Sequence, residues 1–388
     1  MDRRVQFHGY PLKSVIRNML LAAVAILLMA LVLEFVLRAT HFAGARRAWT
    51  QPDDLLGWRS TPGRGYWSFR ENDHAIEGRI NRFGWRDAER TLAKPAGTYR
   101  VAVLGDSYVE AMEVERDSTF CAIVEREFLR RSGTRVEVLS FGRAGMATTE
   151  ELLVLERDVF DYVPDLVVLL FVPLNDIADM SPVTTINPMR PFYRMLPDSS
   201  LELDTRFTHT PGFRTRKRIN WIKQRSALVS LLAERYNVAR RVNRLRPHAS
   251  VETRLAGYLS LCTQAPDSVY ASNYALNKRL IIEAGRLCRQ RDTRLLLVAA
   301  QNVYISDEID TYRRVDDTFD PGFFDDDLNS LCEREEIPFL GLQEVFRRHY
   351  DRDGVALTWA HYSYAGHRLV AAEVGASITR IRDSAQTR

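Results

Sequence analysis

Apolar residues fall along this chain in two ways. Near its start an apolar run from Met19 to Leu33, extended past Glu34 by Phe35, Val36 and Leu37, follows the basic residues Arg3, Arg4, Lys13 and Arg17. About 20 residues rising about 1.5 Å each can cross a bilayer core of about 30 Å, so the run predicts a single membrane-spanning helix over residues 18–38. The short basic head, residues 1–17, favours an amino terminus inside and an extracytoplasmic remainder, although Arg38, Arg46 and Arg47 follow the helix. A cleaved signal peptide is the competing reading, because Ala43-Gly44-Ala45 resembles a cleavage site. Residues 39–97 are rich in Gly, Arg and aromatics (GWRSTPGRGYWSF, RINRFGWRD). Alternation from Gly65 to Arg70 predicts one or two short strands, a hairpin in a small β-rich region with no assignable chemistry.

From residue 98 short apolar runs alternate with helical periodicity. Val101 to Leu104 is apolar without alternation, as a strand covered on both faces should be. Phe120, Ile123, Val124, Phe128 and Leu129 recur at helical spacing over Ser118–Arg131. Further strands are expected at Arg135–Phe141, Leu166–Val172, Arg294–Ala300 and Ile337–Leu342. Helices are expected at Thr149–Phe160, Tyr274–Arg291, Phe323–Glu336 and Gly366–Ile381. Such alternation implies right-handed crossovers and a parallel sheet, an α/β domain over residues 98–388. The rhythm breaks at an insertion, about 181–270. Ser181–Pro211 reads as loop, and Thr215–Arg246 is basic and amphipathic, either a solvated helix packed on the domain or a helix that lies on a membrane or acts as a lid.

Composition adds mainly exclusions. Hydrophobic residues make up 46% and charged residues 27%, the balance of a folded protein, and a net charge of +4 with no basic-aromatic module gives no reason to expect a nucleic-acid partner. Cys121, Cys262, Cys288 and Cys332 lack a CxxC; Cys121 and Cys332 are expected in the core, and a Cys262–Cys288 bridge is left open. No His, Asp and Glu cluster has metal-ligand spacing, and no glycine-rich phosphate loop follows a strand, so neither a metal nor a cofactor is expected.

The chemistry gathers at strand ends. Ser107 follows the first strand of the α/β domain, Gly145 the second and Asn175 the third, and the carboxyl ends of parallel strands form one crevice. A plainer reading makes Asp106 and Ser107 a helix cap. A serine nucleophile needs a base and an oxyanion site; the N–H groups of Ser107 and Gly145 with the Asn175 amide would make that site. His361, in a loop beyond the fifth strand, is the candidate base. His367, inside a helical pattern beside Arg368, is expected at the surface.

The blocks Gly105-Asp106-Ser107, Gly145 in FGRAGMAT, Asn175-Asp176 after PDLVVLLFVPL, and His361 five residues before Gly366-His367 resemble those of the SGNH hydrolases, the GDSL-type lipases and esterases. The resemblance covers roughly Arg100 to Ile378. It implies a three-layer α/β/α sandwich, flavodoxin-like, with a five-stranded parallel sheet. It also implies Ser107 as nucleophile, His361 as general base, and Ser107, Gly145 and Asn175 as the oxyanion hole. The family's aspartate two residues before the histidine is Trp359 here, and Pro173-Leu174 stands where glycine is common. Three explanations for Trp359 are open: a backbone carbonyl near Thr358 or Trp359 orients the imidazole, Asp351 or Asp353 swings in, or catalysis is lost and the fold binds a ligand. The resemblance further implies a membrane-anchored esterase or O-acyltransferase acting on O-acetyl groups of an extracytoplasmic polysaccharide. Other proteins of polysaccharide synthesis or export would be its partners. A lipid ester is the alternative substrate, and a non-catalytic glycan-binding scaffold the alternative role.

Overall fold

The computed structural model describes residues 12–40, 50–68, 71, 75–132, 135–198, 200–244, 259, 261–264 and 266–386. The basic head up to residue 11, the Ala43-Gly44-Ala45 site and residues 245–258 of the insertion lie outside them. The first helix, α1 (Leu12–Ala39), carries a stretch, Lys13–Ala39, that is long and apolar enough to cross a membrane, with a mean hydropathy of 2.9 and almost no burial. Two antiparallel hairpins follow, β1 (Thr50–Asp53) with β2 (Gly57–Ser60), and β3 (Gly65–Ser68) with β4 (Ile76–Arg79). The second of these is the hairpin expected near Gly65.

The α/β domain begins with β5 (Tyr99–Gly105), a short helix α2 (Ser107–Glu110), α3 (Phe120–Ser132), β6 (Val136–Gly142), α4 (Thr148–Val154), β7 (Leu166–Phe171) and α5 (Pro173–Ala178). The insertion holds a hairpin, β8 (Phe192–Met195) with β9 (Leu201–Asp204), where loop was expected, and helices α6 (Pro211–Arg225) and α7 (Ala227–Arg244). The chain then returns through α8 (Ser268–Gln290), β10 (Arg294–Ala299), α9 (Ser306–Val315), α10 (Phe323–Arg334), β11 (Phe339–Gly341), α11 (Gln343–Asp353) and α12 (Tyr364–Gln386).

Five strands form one sheet in the order β11-β10-β7-β5-β6, every neighbouring pair parallel. Counted in chain order within the sheet this is 5-4-3-1-2, the flavodoxin-like winding. Ala102, Leu104, Val167, Leu169, Leu295 and Leu297 point to one buried layer, under α4, α8 and α10. Val101, Val103, Val168, Leu170, Leu296 and Val298 point to the other, under α3, α11 and α12. Both faces are covered, and the strands therefore show apolar runs rather than alternation. The predicted three-layer α/β/α sandwich is the architecture found. All four cysteines are buried and free, so no Cys262–Cys288 bridge forms.

The described residues fall into two compact units, α1 with residues 218–244, and residues 50–217 with those from 259 onward. Within the first, Leu37 of α1 packs on Ala227, Leu228 and Leu231 of α7.

Candidate active site

β5 is flanked by β6 on one side and β7 on the other, so strand order reverses at its carboxyl end, where an open α/β sheet has its ligand crevice. Ser107 stands there. The capping reading of its neighbour also holds: the Asp106 carboxylate accepts the Tyr108 N–H at 2.9 Å at the start of α2. Capping leaves the Ser107 hydroxyl available, and it meets His361 Nε2 at 2.7 Å. On the far side of the ring, Nδ1 lies 2.5 Å from Oε1 of Glu71. With Nδ1–H donating to the carboxylate, Nε2 is the lone-pair nitrogen and accepts a hydrogen bond from the Ser107 hydroxyl. A hydroxyl, an imidazole and a carboxylate thus lie in a continuous line, the arrangement of a serine-hydrolase triad.

The carboxylate is not among those expected from the sequence. Asp351 accepts from Ser306 Oγ at 2.9 Å and Arg347 at 2.8 Å, while Asp353 is engaged by Arg352 at 2.8 Å and His349 at 3.3 Å. Both sit at the end of α11 with these partners and neither reaches His361. Nor does a backbone carbonyl at Thr358 or Trp359 hold the ring. Trp359 uses its N–H to bond the His361 carbonyl at 2.8 Å, and its indole, 43% exposed, packs edge-on against Tyr364. Glu71 lies at the tip of the β3–β4 hairpin, in the region read as chemically silent, about 290 residues from the histidine it contacts. Its second oxygen accepts the N–H groups of Ala360 at 3.1 Å and His361 at 2.8 Å, so one carboxylate fixes both ring and loop.

Placement of Glu71 depends on how the hairpin is seated. Tyr66 and Ile80 pack with Met112 in a small buried cluster. Arg86, itself buried, donates to the Tyr66 hydroxyl, to the Glu110 carbonyl at 2.7 Å and to the Val114 carbonyl at 2.5 Å. It thereby ties the hairpin to the segment that follows Ser107. Across the hairpin Tyr66 pairs with Gly78, and a β-carbon on Gly78 would collide with the Tyr66 phenol. Gly78→Ala is therefore expected to cost about 1–3 kcal/mol by overpacking. By shifting Glu71 on the order of 1 Å, it should also lower kcat by about 10². Thermal unfolding and ester turnover measured on the same sample check both effects.

The other predicted groups converge less directly. Gly145 follows β6 with φ of +75°, the left-handed region that favours glycine, and its carbonyl accepts from Arg190 at 2.8 Å. Arg190 is buried and also paired with Glu150 and Asp179, so this turn is rigidly held. Asn175 is on α5, which Pro173 opens at its first turn; its Nδ2 donates to Asp106 at 2.6 Å. His367, expected at the surface, is instead buried. It lies on the inner side of α12, where Nδ1 accepts the Phe120 N–H at 3.2 Å and Nε2 is 3.5 Å from Glu113. Burial pushes its pKa down, outweighing Glu113, which leaves it a neutral core histidine with no contact to Ser107.

The charges of the triad are mutually supporting. For His361 burial opposes protonation, but the Glu71 hydrogen bond and the fields of Glu113, Glu71 and Asp106 outweigh it, so its pKa is raised above 6.5. For Glu71 burial opposes ionisation, yet the bonds to His361 and Ala360 prevail and its pKa is lowered below 4.5. Glu71 is thus ionised wherever His361 is neutral. Burial pushes Asp106 up despite its bonds to Tyr108 and Asn175, and it pushes Asp176, whose neighbour Asp106 adds to the effect, well up.

Strand order, the serine after the first strand of the sheet, the glycine turn after the second, Asn175-Asp176 after the third, and the histidine before the last helix now stand in one structure. This arrangement resembles that of the SGNH hydrolases. No protein-family model matches the sequence, and no curated protein matches it. Among solved structures, the chain is similar to the acetyl xylan esterase AlAXEase, at 13% identity over 72% of this chain and 99% of that one, with a TM-score of 0.40. It is also similar to a catalytic mutant of Axe2, an acetylxylan esterase from Geobacillus stearothermophilus, at 11% identity, 74% and 96% coverage and a TM-score of 0.39. TesA matches at 11% identity over 72% of this chain and 98% of its own, with a TM-score of 0.36.

Proposed function

We propose that the protein is a serine esterase or O-acyltransferase that acts on short acyl groups, acetyl foremost, carried by a carbohydrate outside the cytoplasm, with α1 as its membrane anchor. The observation that carries the chemistry is the unbroken line from Ser107 Oγ through His361 to Glu71. In this reading Ser107 Oγ attacks the acyl carbonyl as its proton passes to His361 Nε2, and Glu71 stabilises the imidazolium. The oxyanion is received by the N–H groups of Ser107 and Gly145 and by the second Nδ2 hydrogen of Asn175, whose first is committed to Asp106. His361 returns the proton to the departing sugar oxygen. Water, or a second sugar hydroxyl, then attacks the acyl-enzyme with His361 again as base.

Trp359 supports a sugar as the alcohol portion. Its indole is exposed two residues before His361, where it can offer an apolar face with a polar edge to a pyranose ring. With Glu71 serving the imidazole, position 359 is released from carrying the acid. The non-catalytic reading rested on a missing acid, and Glu71 removes that support. Trp359→Ala is expected to raise KM for acetylated xylo-oligosaccharides roughly tenfold, the effect of about 1.4 kcal/mol of lost binding, while leaving 4-nitrophenyl acetate kinetics unchanged. Equal effects on both substrates, or none on either, count against the carbohydrate assignment; acetate release with the two substrates decides it.

A further inference from the structure

Glu34 is the one acidic residue in α1, and a carboxylate inside a membrane-spanning helix is costly unless it is paired. Here it is fully engaged: one oxygen takes Arg38 Nε at 2.6 Å and the Ala227 N–H at 2.9 Å, the other Ser226 Oγ at 2.9 Å and the Leu228 N–H at 2.8 Å. The anchor thus supplies the cap for the first turn of α7. Glu34 lies five residues before Ala39, about 8 Å below the end of the helix, which puts the α6–α7 corner at the level of the headgroups on that side.

The side chains around that corner suit such a level. Arg218, Trp221, Ile222 and Arg225 recur at helical spacing and are all exposed, with the Arg225 guanidinium over the Trp221 ring at 4.1 Å. On α7 the residues facing Leu37 are Ala227, Leu228 and Leu231, whereas Leu232, Arg235 and Tyr236 are exposed. From Arg216 to Arg246 the sequence has ten basic residues and one acidic residue. Trp and Tyr favour the membrane interface, and clustered Arg and Lys favour anionic headgroups.

We propose that the α6–α7 corner is a lipid-binding platform that lies on an anionic bilayer surface, held at that depth by Glu34. The proposal rests on α1 crossing the membrane and is independent of the esterase chemistry. The test uses the full chain, reconstituted in vesicles of equimolar phosphatidylcholine and phosphatidylglycerol whose acyl chains are brominated near the carboxyl end. Tryptophan fluorescence is read for the wild type and Trp221→Phe, with unchanged 4-nitrophenyl acetate turnover as the check on folding. The expected result is quenching of the wild type, most of it lost in Trp221→Phe, and a smaller difference between the two in phosphatidylcholine alone. Arg218→Gln with Arg235→Gln should remove that dependence on the anionic lipid. Equal quenching of wild type and Trp221→Phe while the chain resists alkaline extraction overturns the platform and leaves the anchor standing; a corner that binds a protein instead gives this result. Release of the chain by alkaline carbonate overturns both.

Discussion

Glu71→Gln is expected to lower turnover of 4-nitrophenyl acetate by about 10⁴, the cost of removing the carboxylate from a working triad. The amide keeps the size of the side chain but no longer offsets the imidazolium charge, and it no longer selects the tautomer that leaves Nε2 free to accept. A pH profile separates this from general damage. In the proposed mechanism the active base is neutral His361, so activity is expected to fall as pH drops through its pKa, which the wild-type surroundings raise above 6.5. Without the Glu71 charge the burial of the ring is less opposed. The acid limb in Glu71→Gln is therefore expected at lower pH than in wild type, together with the lower plateau. A fall in rate with an unmoved limb would instead place Glu71 outside the catalytic line.

Ser107→Ala is expected to lose about 10⁶ in kcat, the cost of deleting the nucleophile of a serine triad. Its hydroxyl contacts His361, while the local turn is held by Asp106 and by the loop bonds of Glu71. Thermal stability should thus stay close to wild type. Measuring unfolding alongside turnover distinguishes a lost nucleophile from a lost fold.

Much of the fold is legible in the sequence because burial on both faces writes itself locally: LVVLLF can hardly be other than a covered strand, and helical spacing in Phe120 to Leu129 fixes one layer around it. The placement of Ser107, Gly145 and Asn175 is legible for a related reason, each lying just after such a strand. The acid is not. Glu71 reaches His361 from a separate hairpin, and nothing local to either residue encodes a contact across so much chain; the available signal is the missing acid at Trp359. His367 misleads in the opposite way, since the charged neighbour Arg368 suggests solvent, whereas the helix turns the imidazole inward onto Phe120. The β8–β9 hairpin escapes because its four-residue strands are too short for alternation to stand out among loop residues.

The most direct test of the triad is the rate at which a fluorophosphonate forms an adduct on Ser107, read by peptide mass spectrometry for wild type, Ser107→Ala and Glu71→Gln. The reagent phosphonylates a serine whose proton a neighbouring base accepts. The account predicts a rapid adduct on Ser107 in wild type, none in Ser107→Ala, and strongly slowed labelling in Glu71→Gln. An unlabelled wild-type Ser107, or equal labelling with and without the Glu71 carboxylate, would contradict it.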